Sequence, residues 1–257
     1  MNNIDTFFRN RIGFPRDEKV TIGNLDKVLE KTALSLPFEN LRIIDGRSEK
    51  LTEENLLKKI FQYNEGGLCY ELNPILYLFL AENGLNVSMV RGTTFNQEQK
   101  RWNRLRGTHV ANLLEYNGRH YLVDCGYGGN LPLKPVPLNG ETVSSKVGEF
   151  RVGKLDSEYG DYVLYMKRKY KDDDWTIGYA FNTKERISNI SQLQEVQRLI
   201  EEHEESPFNK TPLIVKLTDK GSMTLTKTSY TEWADGKMKK EEINEQQFYK
   251  IKEEIFN

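Results

Sequence analysis

The chain has little cysteine, little histidine and no surplus of charge in its 257 residues, and each shortage removes a class of function. Two cysteines, Cys69 and Cys125, cannot build a disulfide framework. The opening Met1-Asn2-Asn3-Ile4-Asp5 lacks a basic segment followed by an apolar stretch, so no secretory signal is expected. Both features point to a reducing, cytoplasmic setting with the two thiols free. Three histidines (His109, His120, His203) and two cysteines do not fall at the spacing of paired metal ligands, so no metal is expected. With 37 basic and 38 acidic residues there is no electrostatic footprint for nucleic acid. The longest apolar run, residues 75–81, is far too short to span a membrane. What is present, 37% apolar residues in a chain of this length, suffices for one large domain or two to three small ones.

Periodicity divides the chain into three textures. The first part reads as helical. Leu56, Leu57, Ile60 and Phe61 share one face of a predicted helix over 52–61, with Thr52 as its cap. After the break Asn64-Glu65-Gly66-Gly67, a second helix is expected over 69–82. Its Leu72, Ile75, Leu76, Phe79 and Leu80 form a buried stripe, and Asn83-Gly84 ends it. From about residue 87 to 181 short strands and polar turns follow, the pattern of a barrel or sandwich. The clearest hairpin joins 108–114 to 120–125 through Asn117-Gly118; further strands are expected at 149–152, 162–169 and 176–181. The last part alternates. A helix is expected over about 188–203, then strands at 213–217 and 223–228 and an Asp235-Gly236 turn. A final helix is capped by Asn244 with Gln247, with Ile243 and Phe248 as its hydrophobic staple.

Chemistry concentrates at Cys69. A lone cysteine is most often a small buried hydrophobe, but this one follows Gly66-Gly67 at the predicted start of a helix. There the macrodipole favours the thiolate, and free N–H groups could hold an oxyanion. A tight turn alone would also use the glycines. The hairpin adds a partner. A two-residue loop sets Tyr116 opposite Arg119, which carries Asp124 to Ala111 and places His109 on the same face. The Cα atoms of His109 and Asp124 are then about 7–8 Å apart. Cys125 points to the other face, expected to be the barrel interior. A histidine oriented by a carboxylate is the second half of a nucleophile–base–orienter triad, although a surface Asp–His pair would give the same pattern. His120, beside the turn, and His203, in a run of glutamates, carry no such signal.

At these residues the sequence resembles the arylamine N-acetyltransferases. Gly66-Gly67-Leu68-Cys69-Tyr70-Glu71-Leu72-Asn73 is similar to the active-site signature of that family. Arg11-Ile12-Gly13, Leu36-Pro37-Phe38-Glu39-Asn40-Leu41, Thr108-His109 and the run from Val123 to Gly129 fall in family order, over roughly residues 5–130. Trp175, Tyr179, Phe181 and Ser206-Pro207-Phe208 extend the likeness. The resemblance implies an α+β fold with a cysteine-protease-like Cys-His-Asp core, in three parts: an N-terminal helical bundle over 1–85 carrying the nucleophile, a central β-barrel over 86–187 carrying His and Asp, and a C-terminal α/β lid over 188–257. It implies acetyl-coenzyme A as donor and aromatic amines or hydrazines as acceptors, with Cys69, His109 and Asp124 catalytic. Thr108, Gly126 and Tyr127 would line the thiol end of the coenzyme site, and Phe38, Tyr127 and Phe208 the aromatic pocket. Two departures stand out. Glu65 replaces the family's usual arginine, which would deprive Glu39 of an opposite charge, and Cys125 replaces a branched apolar residue. The rivals to an acetyltransferase are a transglutaminase-like or thiol hydrolase, which uses the same triad order, and a silent binding protein with an aromatic cleft.

Overall fold

The structure is a computed structural model and describes residues 4–256. Its N-terminal part comprises α1 (Ile4–Ile12), α2 (Leu25–Ser35), a short strand β1 (Phe38–Glu39), α3 (Leu41–Ile44), α4 (Glu53–Leu57) and α5 (Cys69–Glu82). Thr52 caps α4 as its position predicts, accepting the Asn55 N–H at 3.2 Å. The helix does not run regularly to Phe61, however. It widens at Lys58–Gln62 into a π-helical turn, closed by the Tyr63 N–H on the Lys58 carbonyl at 2.9 Å. The turn lets the neighbours Lys59 and Ile60 both point inward. No apolar stripe announces this, because one of the two inward side chains is a cation. The stripe of α5 lies in the apolar core as expected, and Gly84 at φ +78° terminates the helix.

The middle of the chain contains β2 (Asn86–Asn96), β3 (Arg101–Trp102), β4 (His109–Tyr116), β5 (Arg119–Val123), β6 (Val136–Pro137), β7 (Val143–Ser145), β8 (Gly148–Ser157), β9 (Gly160–Arg168) and β10 (Thr176–Phe181). They form an antiparallel sheet in the order β6-β5-β4-β2-β10-β9-β8-β7, with β3 paired to the end of β2. β6 lies against β8, so the sheet curls into a nearly closed barrel around Val90, Leu113, Phe150, Leu164 and Phe181. The hairpin register is the expected one, with Tyr116 opposite Arg119 and Asn112 opposite Val123. Asn117 (φ +49°) and Gly118 (φ +70°) supply the left-handed pair that such a turn needs.

The C-terminal part holds α6 (Gln194–Glu202), β11 (Leu213–Thr218), β12 (Gly221–Thr226), β13 (Ser229–Ala234), β14 (Lys237–Glu242) and α7 (Glu245–Phe256). β12 begins two residues earlier than its apolar pattern predicts, because a short turn at Asp219-Lys220 hands the chain straight back to the ladder. The capping box of α7 is present: Asn244 accepts from Gln247 N at 3.0 Å and Gln247 accepts from Asn244 N at 2.9 Å. The second sheet runs β1-β11-β12-β13-β14, so a strand from the N-terminal part forms its inner edge, with Phe38 opposite Val215. Among the described residues no helix is long and apolar enough to cross a membrane, and no cluster of three potential metal ligands occurs.

Candidate active site

α5 packs against β2 and β4 on the outside of the barrel. This contact brings the helix start to the place where β4 begins and β5 has just ended. Cys69, the first residue of α5, is buried, and its Sγ lies 3.5 Å from the Thr108 carbonyl. His109, the first residue of β4, places Nε2 2.8 Å from Oδ2 of Asp124. That leaves Nδ1 as the ring atom available to the thiol. Strand pairing stops at Asn112–Val123, and Asp124 is the next residue. The three side chains read from the sequence as a triad therefore do converge.

Asp124 is wholly buried yet fully hydrogen-bonded. Oδ1 accepts from Asn73 Nδ2 at 2.9 Å and from Gly126 N at 2.7 Å. Oδ2 accepts from His109 Nε2 and from the Tyr179 hydroxyl, each at 2.8 Å. Burial alone would raise the pKa of this carboxyl. The charge and hydrogen bond of His109, with the bonds from Asn73 and Gly126, outweigh it and hold the pKa below its ordinary value. For His109 burial works against the cation, but the Asp124 carboxylate and the contact with Cys69 push its pKa up from 6.5 to about 10. The raised pKa favours the protonated ring beside the Cys69 sulfur, which sets an acid–base group next to a cysteine side chain.

Two members of this arrangement were not assigned a role from sequence. Asn73 sits one helical turn after Cys69, and its amide ties three elements together. It donates to the Val110 carbonyl at 2.7 Å as well as to Asp124, and accepts from Cys125 N at 3.1 Å. The signal was available, since Asn73 is a polar residue set among the apolar positions Leu72, Ile75 and Leu76. Tyr179 has no such signal. Its ring lies 4.3 Å from that of His109 and its hydroxyl reaches Asp124 only because β10 pairs with β2.

The remaining expected residues divide. Gly126 packs on Cys69 itself: a Cβ there would lie 2.7 Å from Cys69 Cα and 2.6 Å from Asn73 Nδ2. Thr108 meets Cys69 through its carbonyl, while its hydroxyl donates to Leu105 O at 3.1 Å. Tyr127 faces His109 at 5.1 Å and donates to Gly178 O at 3.0 Å; burial pushes its hydroxyl pKa upward. Phe38 and Phe208 meet edge to face at 5.7 Å. His120 sits between Glu115 and Arg186, and the His203 ring accepts from the Glu205 N–H, both away from the triad.

One expectation is corrected. Cys125 is on the opposite side of the strand from Asp124, but that side is not the barrel interior. Its Sγ lies 3.4 Å from Leu72 O and 3.5 Å from Asn73 Oδ1, and it belongs to the helical core. The sheet has two covered faces. Val110, Val123 and Cys125 turn toward α5, whereas Ala111 and Leu122 turn into the barrel. Burial, with the Asp124 charge adding to it, pushes the Cys125 thiol well above its ordinary pKa, which disfavours its thiolate. The charge missing at Glu65 is also accounted for. Glu65 pairs with Arg42 at 2.6 Å, and Lys59 takes the place opposite Glu39 at 3.3 Å.

Comparison with known proteins identifies the fold and the family. The N-acetyltransferase family profile matches residues 21–257. An uncharacterised acetyltransferase, YvcN of Bacillus subtilis (strain 168), is 42% identical over 88% of this chain and 86% of its own. The crystal structure of arylamine N-acetyltransferase C from Bacillus anthracis superposes with a TM-score of 0.93 at 37% identity, covering 100% of this chain and 98% of that one. An arylamine N-acetyltransferase from Bacillus cereus, distinguished by a unique Cys-His-Glu catalytic triad, superposes with a TM-score of 0.91 at 39% identity over 98% and 96%. Helices, a nearly closed barrel and a second mixed layer, with this much sequence in common, leave one conclusion: the chain belongs to the arylamine N-acetyltransferase family and is an acyltransferase.

Proposed function

We propose that the enzyme moves an acetyl group from acetyl-coenzyme A to an aromatic amine or hydrazine by double displacement through Cys69. The observation that carries this is the buried His109 ring, 2.8 Å from Asp124 and in contact with Cys69; the raised pKa of the ring favours the imidazolium. The Cys69 thiolate attacks the thioester carbonyl carbon. First-turn amides of α5, which the helix cannot satisfy by itself, hold the resulting oxyanion. As the intermediate collapses the carbon–sulfur bond to coenzyme A breaks, and His109 gives its proton to the departing thiolate. The now neutral ring takes a proton from the amine as the amine nitrogen attacks acetyl-Cys69. The amide forms, the Cys69 thiolate leaves, and the ion pair is restored.

In this reading Thr108, Gly126 and Tyr127 bound the thiol end of the coenzyme, and Phe38, Tyr127 and Phe208 receive the aromatic ring. The contacts of Tyr127 with His109 and of Phe38 with Phe208 support that arrangement. We divide the chain functionally at residues 85 and 187, and place the enzyme in a reducing cytoplasm where both thiols stay free. The third triad residue here is Asp124, in contrast to the glutamate named for the Bacillus cereus protein. Intact-mass measurement after incubation with acetyl-coenzyme A tests the reading. One acetyl group should appear on Cys69, none on Cys125, and an arylamine should discharge it. A chain that stays unacetylated, or that releases only free acetate when amine is added, would favour a hydrolase instead.

A further inference from the structure

Beneath the start of α5 lies a buried ionic cluster that the acetyl-transfer chemistry does not use. Lys59, in the π-helical turn, is 4% exposed. Its Nζ stands 2.6 Å from Glu71 Oε1 and 3.3 Å from Glu39 Oε1. Each carboxylate spends its other oxygen on the backbone. Glu71 Oε2 accepts the Leu68 N–H at 2.9 Å, and Glu39 Oε2 accepts the Leu41 N–H at 2.6 Å. Glu39 Oε1 has no hydrogen-bond partner among the described residues, so the Lys59 ammonium is its compensation.

The segment held by these groups is the one that delivers the nucleophile. Glu39 N donates to Gly67 O at 3.0 Å and Gly67 N to Pro37 O at 3.2 Å, which lashes residues 66–67 to β1. A Cβ at Gly66 would strike the Pro37 carbonyl, and one at Gly67 would lie 2.8 Å from Glu71 Oε2. Leu68 and then Cys69 follow directly. Burial opposes the Lys59 cation, but the charges of Glu39 and Glu71 outweigh it and keep the ammonium protonated. Burial pushes Glu71 above the usual carboxylate range. The other charged groups around the cluster have their own partners. Glu65 pairs with Arg42 and Arg47, Glu49 with Arg42, and the Tyr70 hydroxyl with Glu201. On the far side of Cys69 stand His109 and Asp124.

We propose that Lys59 is a positioning residue for the nucleophile: it locks Glu39 and Glu71 onto the backbone on either side of Gly66-Gly67 and cancels their negative charge next to Cys69. It does so from a different element than position 65, where this chain has a glutamate. The inference rests on Cys69 being the nucleophile. Without Lys59, two buried carboxylates lie uncompensated near a group that must itself become an anion: Glu71, two residues after Cys69, and Glu39, whose backbone N–H is bonded to Gly67, two residues before it. Such like charges disfavour the thiolate. A merely structural ion pair would lower stability and leave the titration of Cys69 where it was.

The test is the pH profile of Cys69 alkylation by iodoacetamide, a neutral reagent that needs no coenzyme site. It is measured in the folded proteins alongside their thermal midpoints. In Lys59→Met the profile should move up by about one pH unit or more, with the rate on its acidic limb falling about tenfold. Lys59→Arg keeps the charge, and its profile should overlay the wild type even if its midpoint temperature drops. Lys59→Met/Glu71→Gln removes one of the two orphaned carboxylates while the amide oxygen still accepts from Leu68. Its profile should lie between those of Lys59→Met and the wild type. A wild-type profile in either Lys59→Met or the double variant overturns the proposal, as does a shifted profile in Lys59→Arg. If Lys59→Met does not fold, Lys59→Arg and the double variant decide alone. Because alkylation does not involve acetyl-coenzyme A, an enzyme that refused this donor would leave the Lys59 result standing.

Discussion

Asn73 donates its side-chain amide to Asp124 at 2.9 Å, so the helix that begins at Cys69 also fixes the carboxylate that holds His109. The two halves of the site come from different parts of the fold, and this single side chain sets their spacing. Its carbonyl oxygen meanwhile accepts the Cys125 N–H, which pins the backbone just after Asp124. Replacing Asn73 by Ala would leave the Val110 carbonyl and the Cys125 N–H unpaired in a dry interior. The expected cost is about 2–6 kcal/mol of stability, since orphaned buried polar groups cost about 1–3 kcal/mol each. Urea unfolding measures it, and acetylation by the folded fraction should fall at least about tenfold as Asp124 loses a fixed partner.

Gly126→Ala should be more damaging to chemistry than to folding. The added methyl would meet Cys69 Cα at 2.7 Å and Asn73 Nδ2 at 2.6 Å, so the loop after Asp124 or the start of α5 must move. A shift approaching 1 Å in a reacting group costs about a hundredfold in rate. Single-turnover acetylation should show a loss of that order while the far-ultraviolet circular dichroism stays that of the wild type. A rate within a few-fold of wild type would mean that Gly126 is not packed on Cys69 as found.

Cys125→Val should keep activity within a few-fold. The substitution trades one small buried group for another, and the Sγ contacts to Leu72 O and Asn73 Oδ1 are weak sulfur interactions. Stability should change by less than about 1.5 kcal/mol. The variant also isolates Cys69 as the sole thiol, so any acyl or alkyl adduct it still forms locates the nucleophile by mass alone. A collapse of activity in a well-folded Cys125→Val protein would contradict the placement of this side chain against α5.

The features read correctly from sequence are those whose cause is local. Asn117-Gly118 fixes the β4–β5 register because only residues tolerant of positive φ make that turn, and the register in turn puts His109 and Asp124 on one face. Thr52 and Asn244 cap their helices through side chains a few residues from the amides they serve. What could not be read is tertiary. β2 is covered on both sides, so it shows no alternation, and β14 is exposed along its whole length. Lys59 is the clearest case. It looks like a solvated helix residue until β1 and α5 bring Glu39 and Glu71 to it. Cys125 was given the right side of its strand but the wrong surroundings, because alternation says which residues share a face and not which layer covers it.

The pH dependence of stability follows from the directions of two shifts. The His109 pKa is raised from 6.5 to about 10 in the folded protein. Its contribution is therefore complete below about pH 6.5 and is lost as pH rises through about 10. The Asp124 pKa is lowered from 3.8. Its contribution is present above that value and is lost as pH falls through the lower folded one. The difference in unfolding free energy between the wild type and His109→Gln should be largest and flat at mildly acidic pH. It should shrink steadily on the alkaline side. A difference that instead grows above neutrality would show that His109 is neutral in the resting enzyme.

His109 and Asp124 should act with Cys69 as one unit, and Asp124→Asn is the sharpest probe of it. Both oxygens of Asp124 accept two hydrogen bonds each, from Asn73 and Gly126 on one side and from His109 and Tyr179 on the other. An amide in the same place must turn its NH2 group toward one of these donor pairs, so either the backbone bond or the imidazole is repelled. The ring then loses both its orientation and the charge that keeps it protonated, and Cys69 loses its counter-ion. Acetylation should fall by about three to four orders of magnitude, the size of effect seen when an orienting carboxylate is neutralised in comparable triads. His109→Gln should be as bad or worse. The double variant should be little worse than either single one, since removing a second member of a broken unit takes away nothing further. Rapid-quench mass spectrometry of the acetylated chain measures all three. The wild type should alkylate readily at mildly acidic pH, where an ordinary thiol is slow, and both single variants should lose that acidic limb. Losses that simply multiply in the double variant, or an acidic limb that survives Asp124→Asn, would mean that some group other than this pair activates Cys69.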